Sequence, residues 1–260
     1  MRDTWTPLAM AAGIVCVLIA TILDRTSPAV LIKPAPLILV FGGTFFAGTA
    51  GLFRRDLHGL GAILRRALTS RVDDLEIAVE QMAFLAATAK QNGIMALDQA
   101  TATIADPFLR RGVELAVDGV SSEELVAVLE DDLESTAARH RAGAKVFADM
   151  GGYAPTLGII GTVMGLVHVL GNLAAPGSLG PAIGSAFTAT LWGVLSANLI
   201  WIPLVNKLRR LSDLEIVVKR MEIEGLLAIQ VGASSRMVRR RMESFLAPAL
   251  RNEPASGAAA

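Results

Sequence analysis

From Val146 to Asn206 the chain runs for 61 residues with one formal charge, Asp149. A bilayer core takes about 20 apolar residues per helix, so this length suits two spans rather than one. The stretch breaks at GNLAAPGSLGP, residues 171–181, where glycine and proline mark a turn. One span is expected near 147–170 and another near 182–204. Composition agrees, with 53% of the residues hydrophobic and 18% charged and a mean hydropathy of +0.52, well above a soluble domain. Two further uncharged runs precede them, Pro7 to Leu23 and Pro34 to Phe53, the second stopped by Arg54 and Arg55. The first lacks the basic start and small-residue cleavage site of a signal peptide and is read as an uncleaved span.

The remainder is polar and patterned for helix. Residues 54–145 carry 11 basic and 15 acidic side chains, and those from Lys207 onward carry 10 and 6. These two segments hold 21 of the 24 lysines and arginines, so both are assigned to the cytoplasmic side, with both termini. Leu125, Leu129 and Leu133 recur at helical spacing, and Ser121-Ser122-Glu123-Glu124 has the form of a capping box. The helix starting there is expected to run into the third span, and the fourth to continue inward past Lys207, both packing with the helices of the middle segment. The expected fold is all-α: a polytopic membrane protein with four transmembrane helices and a helical cytoplasmic domain. Its divisions are 1–53 for spans one and two, 54–145 for the cytoplasmic domain, 146–206 for spans three and four, 207–247 for C-terminal helices and 248–260 for a disordered tail.

The third span, GGYAPTLGIIGTVMGLVHVL, contains five glycines, two threonines and a proline. Gly158, Gly161, Thr162, Gly165 and His168 lie along one side of it, and Ala186, Thr190, Gly193 and Ala197 form a matching stripe in the fourth. Small stripes let helix backbones approach in lipid, where contact distance governs packing. Packing accounts for the glycines but only partly for Thr162 and Thr190, which lie mid-span, where a hydroxyl can bond its own helix or face a cavity. Neither span has an acid or base in its interior, although carboxylates usually mark ion paths. If ions pass here, a partner brings the carboxylate. His168 has no second titratable group for a relay and is weighed as a packing or interfacial residue. Cys16, the lone cysteine, forms no disulfide framework and is expected to be a small buried hydrophobe. Zero net charge gives no reason to expect nucleic acid. No nucleophile–base pair, metal cluster or phosphate loop is present, so no enzyme and no cofactor is expected.

Taken together, GGYAPTLGIIGTVMGLVHVL, SAFTATLWGVLSANLIWIPLVNKL, AKQNGIMALD and IADPFLRRGVELAVDGVSSEELVAVLEDDLE resemble the MotA family of flagellar motor stator subunits. TolQ and ExbB belong to the same superfamily but have three spans, with the long cytoplasmic segment after the first rather than the second. The resemblance implies a proton- or sodium-driven stator of the bacterial inner membrane, in which five copies of the chain surround two copies of a MotB-like partner. The partner's single span supplies the ion-binding aspartate. Pro155 and Pro203 fall on the prolines that shape spans three and four, and Thr162 and Thr190 on hydroxyl positions of the ion path. Sodium-type members pair two threonines where this chain has Ala189-Thr190, which favours H+ over Na+ as the translocated ion. Lys90 and Asp98 fall on the positions that engage a FliG-like rotor protein, usually Arg and Glu. Two alternatives stand beside this: an ExbB/TolQ-like energiser of an envelope system, and a passive membrane scaffold.

Overall fold

The computed structural model describes residues 5–69, 75–174 and 176–245. Helix is the only regular structure among them, in agreement with the all-α expectation. The tail expected at 248–260 lies outside the described residues. The chain divides into two units, residues 1–71 with 140–211 and residues 72–139 with 212–260.

In the first unit, α1 (Trp5–Leu23) buries none of its residues. Cys16 is exposed there, which corrects the expectation of a buried thiol: α1 is apolar all round and turns that face outward. The second apolar run forms α2 (Pro34–Leu37), a π-turn (Ile38–Gly42) and α3 (Gly43–Thr49). It stops short of Phe53 because Ala50 N donates to Ala47 O and Leu52 N to Thr49 O, three-residue bonds that close off an α-helix. Then comes α4 (Arg54–Thr69). The third and fourth runs lie in α8 (Ser122–Gly171), α9 (Pro176–Ser196), a second π-turn (Ala197–Trp201) and α10 (Ile202–Gln230). Three helical stretches are long and apolar enough to cross a membrane, Trp5–Leu23, Ser122–Gly171 and Pro176–Gln230, and Pro34–Thr49 is a shorter apolar helix.

Ala67, Val146, Phe147, Met150, Leu204 and Val205 form the buried cluster of this unit, with Phe147 stacked on Trp201 at 6.4 Å between ring centroids. Asp149 accepts from Lys145 Nζ at 2.5 Å, one turn away. That bond holds the lysine above its usual range and offsets the cost of a lone acid beside an apolar run. Near the start of α9, Lys33 Nζ donates to Pro181 O at 3.1 Å, and near its end Trp192 Nε1 donates to Leu31 O at 2.7 Å. Two hairpins are thereby strapped together.

The second unit contains α5 (Leu75–Asn92), α6 (Leu97–Thr101), α7 (Pro107–Val117), α11 (Ser235–Glu243) and portions of α8 and α10. Met82, Leu85, Leu97, Leu109, Leu125, Leu129, Met221, Leu226 and Met242 are buried at its centre, each worth about 1.5–3 kcal/mol of hydrophobic transfer. The helical spacing of Leu125, Leu129 and Leu133 is therefore a core face. Ser121 Oγ accepts from Glu124 N at 3.2 Å, forming the expected cap.

The DPFLRRG stretch is a folding instruction. Asp106 Oδ1 accepts from Phe108 N at 2.9 Å while Pro107 opens α7, and both arms of Arg110 donate to Ile104 O, at 2.6 and 3.2 Å. At Gly112 an added Cβ would lie 2.4 Å from Leu226 Cδ1. Gly119, at φ 76°, ends α7 in a conformation that favours glycine.

Candidate functional site

The small-residue faces of α8 and α9 meet in backbone contact. A Cβ on Gly193 would lie 2.7 Å from Ala154 O and 3.0 Å from Gly158 Cα; one on Gly158 would lie 3.0 Å from Ala189 O and Thr190 Cα. Further along, a Cβ on Gly161 would meet Ala189 Cβ at 2.5 Å, and one on Gly165 would meet Ala186 Cβ at 2.5 Å. Gly158, Gly161, Gly165 and Gly193 all lie at this contact. Ala189 is buried between Gly158 and Gly161, so its methyl belongs to the helix contact.

This close approach brings Thr162 and Thr190 together. Their Oγ1 atoms are hydrogen-bonded to each other across the interface. Thr190 Oγ1 is 3.1 Å from Gly158 O, and Thr162 Oγ1 is 3.2 Å from Gly158 O and 3.3 Å from Ala186 O. One hydroxyl thus donates to the other, whose own proton is left for a carbonyl, in a patch with no charged side chain. Such a patch can stabilise a partner's carboxylic acid or, by turning its protons away, present oxygens to a cation.

Two prolines flank the pair along the helices. Pro155 is half-buried inside α8 and cannot donate to Gly151 O, which weakens that turn. Pro203 is the second residue of α10, just after the π-turn Ala197–Trp201. The wide turn accommodates a ring that would otherwise crowd Leu199 O.

His168 is exposed and lines an open cleft of about 330 Å³ with Ala35, Leu39, Gly161, Met164 and Ala186. Its own carbonyl accepts from Asn172 Nδ2 at 2.8 Å. Two polar residues of the apolar helices were missed by pattern: Ser196 is fully buried and donates to Gly193 O at 3.2 Å, whereas Thr44 Oγ1 is buried without a hydrogen-bond partner among the described residues. Thr44 follows the π-turn Ile38–Gly42, which is invisible as a period in the sequence. Among the described residues no group of three or more His, Cys, Asp or Glu could hold a metal ion.

In the second unit Lys90 and Asp98 are both exposed, at the end of α5 and the start of α6. Gly93, at φ 83°, makes the turn between the helices.

Residues 100–222 match the model of the MotA/TolQ/ExbB proton channel family. Motility protein A of Borreliella burgdorferi is 36% identical over 75% of this chain and 73% of that one. Chemotaxis protein PomA of Vibrio alginolyticus is 30% identical over 94% and 95%. The structure of the flagellar MotAB stator complex from Bacillus subtilis superposes with a TM-score of 0.85 at 28% identity, covering 93% of this chain and 96% of that chain. With its acid-free, hydroxyl-bearing helix contact, the chain belongs to the MotA/TolQ/ExbB proton channel family, whose members are channel components rather than enzymes.

Proposed function

We propose that this chain is an ion-conducting stator subunit of the bacterial flagellar motor, spanning the inner membrane four times with both termini in the cytoplasm. The observation that carries the reading is the Thr162–Thr190 pair, set in a wall that has hydroxyls but no acid of its own. Relatives named Motility protein A and PomA, and a solved MotAB stator complex, support it. A MotB-like subunit supplies the missing aspartate from a single span, and five copies of this chain surround two copies of that partner.

Moving one charge through 100 mV is worth about 2.3 kcal/mol, enough to bias a two-state equilibrium by roughly fifty-fold. Protonating and releasing the partner's aspartate against this wall turns the ring stepwise. Lys90 and Asp98 then engage a FliG-like rotor protein through charge. Ala189 in place of a second hydroxyl favours H+ over Na+, because sodium must replace its lost water with oxygen ligands and a proton needs only the carboxylate.

The test is to express the chain with the product of its neighbouring reading frame in a stator-less strain and to measure swimming at fixed pH with and without sodium. Swimming in both media supports a proton-driven stator. A strict sodium requirement overturns the choice of ion, and no motility with a partner that bears a span and an aspartate overturns the stator assignment.

A further inference from the structure

Helix α4 packs only one of its faces. Ala67 is buried, and Leu60, Ile63 and Leu68 pack against the cluster of Val146, Phe147 and Met150. Along the same side an apolar row is only partly covered by the described residues: Leu57 is 38% exposed, Leu64 36%, and Phe53, just ahead of the helix, 73%. Leu57 and Leu64 stand two turns apart on the helix, and Phe53 precedes its first residue in line with them.

The adjoining edge carries Arg54, His58 and Arg65, at the same spacing. Arg54 and Arg65 are exposed and stand about 16 Å apart along the axis. The helix holds four arginines, 54, 55, 65 and 66, against one acid, Asp56. That acid is already engaged by Arg55 Nε at 3.5 Å, and Arg55 also lies over the Phe53 ring, 5.7 Å from its centroid. Arg66 donates to His140 Nε2 at 3.4 Å. The helix begins only five residues after the apolar helix Pro34–Thr49 ends. A half-sunk apolar row with a basic edge beside it, starting where a span stops, is the pattern of a helix lying in a membrane interface.

We propose that α4 binds acidic phospholipid headgroups, with Arg54 and Arg65 holding the phosphates and Phe53, Leu57 and Leu64 seated among the upper acyl carbons. Charge selects the occupant: a neutral lipid satisfies the apolar row but leaves two guanidinium groups without counter-charge, whereas an acidic one satisfies both. The proposal rests on the membrane-spanning reading and is independent of the flagellar one.

The experiment is native mass spectrometry of the full-length chain in detergent, titrated with phosphatidylglycerol or with phosphatidylcholine of the same acyl chains. Phosphatidylglycerol is retained in preference by at least about five-fold; R54Q/R65Q brings the preference below two-fold, and R54K/R65K keeps it. Equal retention of the two lipids by the native chain overturns the proposal, as does an unchanged preference in R54Q/R65Q. Full displacement by millimolar inorganic phosphate also overturns it, since the site then reads a bare anion rather than a lipid. If the glutamine variant fails to fold, as judged by circular dichroism, the native chain's headgroup preference alone decides. Alkaline extraction of the chain from cell membranes tests the spanning reading separately.

Discussion

The hydroxyls of Thr162 and Thr190 are bonded to each other across α8 and α9, and each also reaches the carbonyl of Gly158. Without a partner the pair satisfies itself, so an incoming acid must exchange for a bond that already exists. Thr190→Val keeps the shape and removes that exchange. Hydrogen bonds between membrane helices are worth about 0.6 kcal/mol on average, so folding and assembly of the variant change little while swimming is lost. Thermal unfolding in detergent, co-purification of the partner and a swim-plate assay separate the two effects. A Thr190→Val strain that swims at the native speed removes the hydroxyl from the mechanism.

A different outcome is expected where no side chain fits at all. Gly193→Ala places a methyl 2.7 Å from Ala154 O, and the helices must part or shift, at about 1–3 kcal/mol. Gly152→Ala, with nothing within 4 Å of the new atom, stabilises by about 0.5–1 kcal/mol through helix propensity alone. Unfolding midpoints of the two variants in one detergent check the contrast. Similar midpoints would show that the contact yields easily.

Helix α11 is clamped to α5 by Arg239, whose two terminal nitrogens face the two carboxylate oxygens of Glu80, Nη2 at 2.8 Å from Oε2. The hydrogen bond from Arg239 holds the Glu80 carboxyl below its ordinary value, and the same bond raises Arg239, which stays charged throughout. A depressed carboxyl contributes its stabilisation above the unfolded value of about 4.3, and loses it as the pH falls through the lower folded value. The protection of α11 amides, taken relative to the intrinsic exchange rate at each pH, is therefore expected to fall below about pH 4, and at neutral pH in high salt or in Glu80→Gln. Both side chains are accessible to water, so the effect is small and screened. Exchange in α11 that responds neither to acid nor to Glu80→Gln removes the clamp.

Lys90→Glu reverses an exposed charge on α5 without disturbing a packed atom. It is expected to slow swimming severalfold at low ionic strength, with much less change in the stability of the chain, because exposed charges act mainly by steering. Asp98→Lys should act in the same direction. If both single variants swim normally at every ionic strength, the rotor contact lies elsewhere.

The helix content was legible in the spacing of apolar residues, and Gly158, Gly161 and Gly165 meet Ala186, Ala189 and Gly193, where the stripe expected from sequence had Thr190 and Ala197 instead of Ala189. The cap at Ser121 was legible for a similar reason: it is local. Cys16 was misplaced because an apolar run does not say whether its neighbours are protein or something else. The end of the second apolar run was also missed, since the tightening after Ala47 depends on backbone bonds rather than on a charge. The two π-turns had no residue signature apart from Pro203, and the unpartnered hydroxyl of Thr44, two residues after the first of them, had none either. The DPFLRRG block contributed to recognition, yet its visible work is to cap, start and pack α7.

Lys33 and Trp192 both donate to main-chain carbonyls, of Pro181 and Leu31. Every residue type supplies a carbonyl, so these two bonds constrain the donors far more than the residues that accept from them. The join between the two apolar hairpins thus rests on two side chains and on backbone that a substitution at the accepting positions would leave in place.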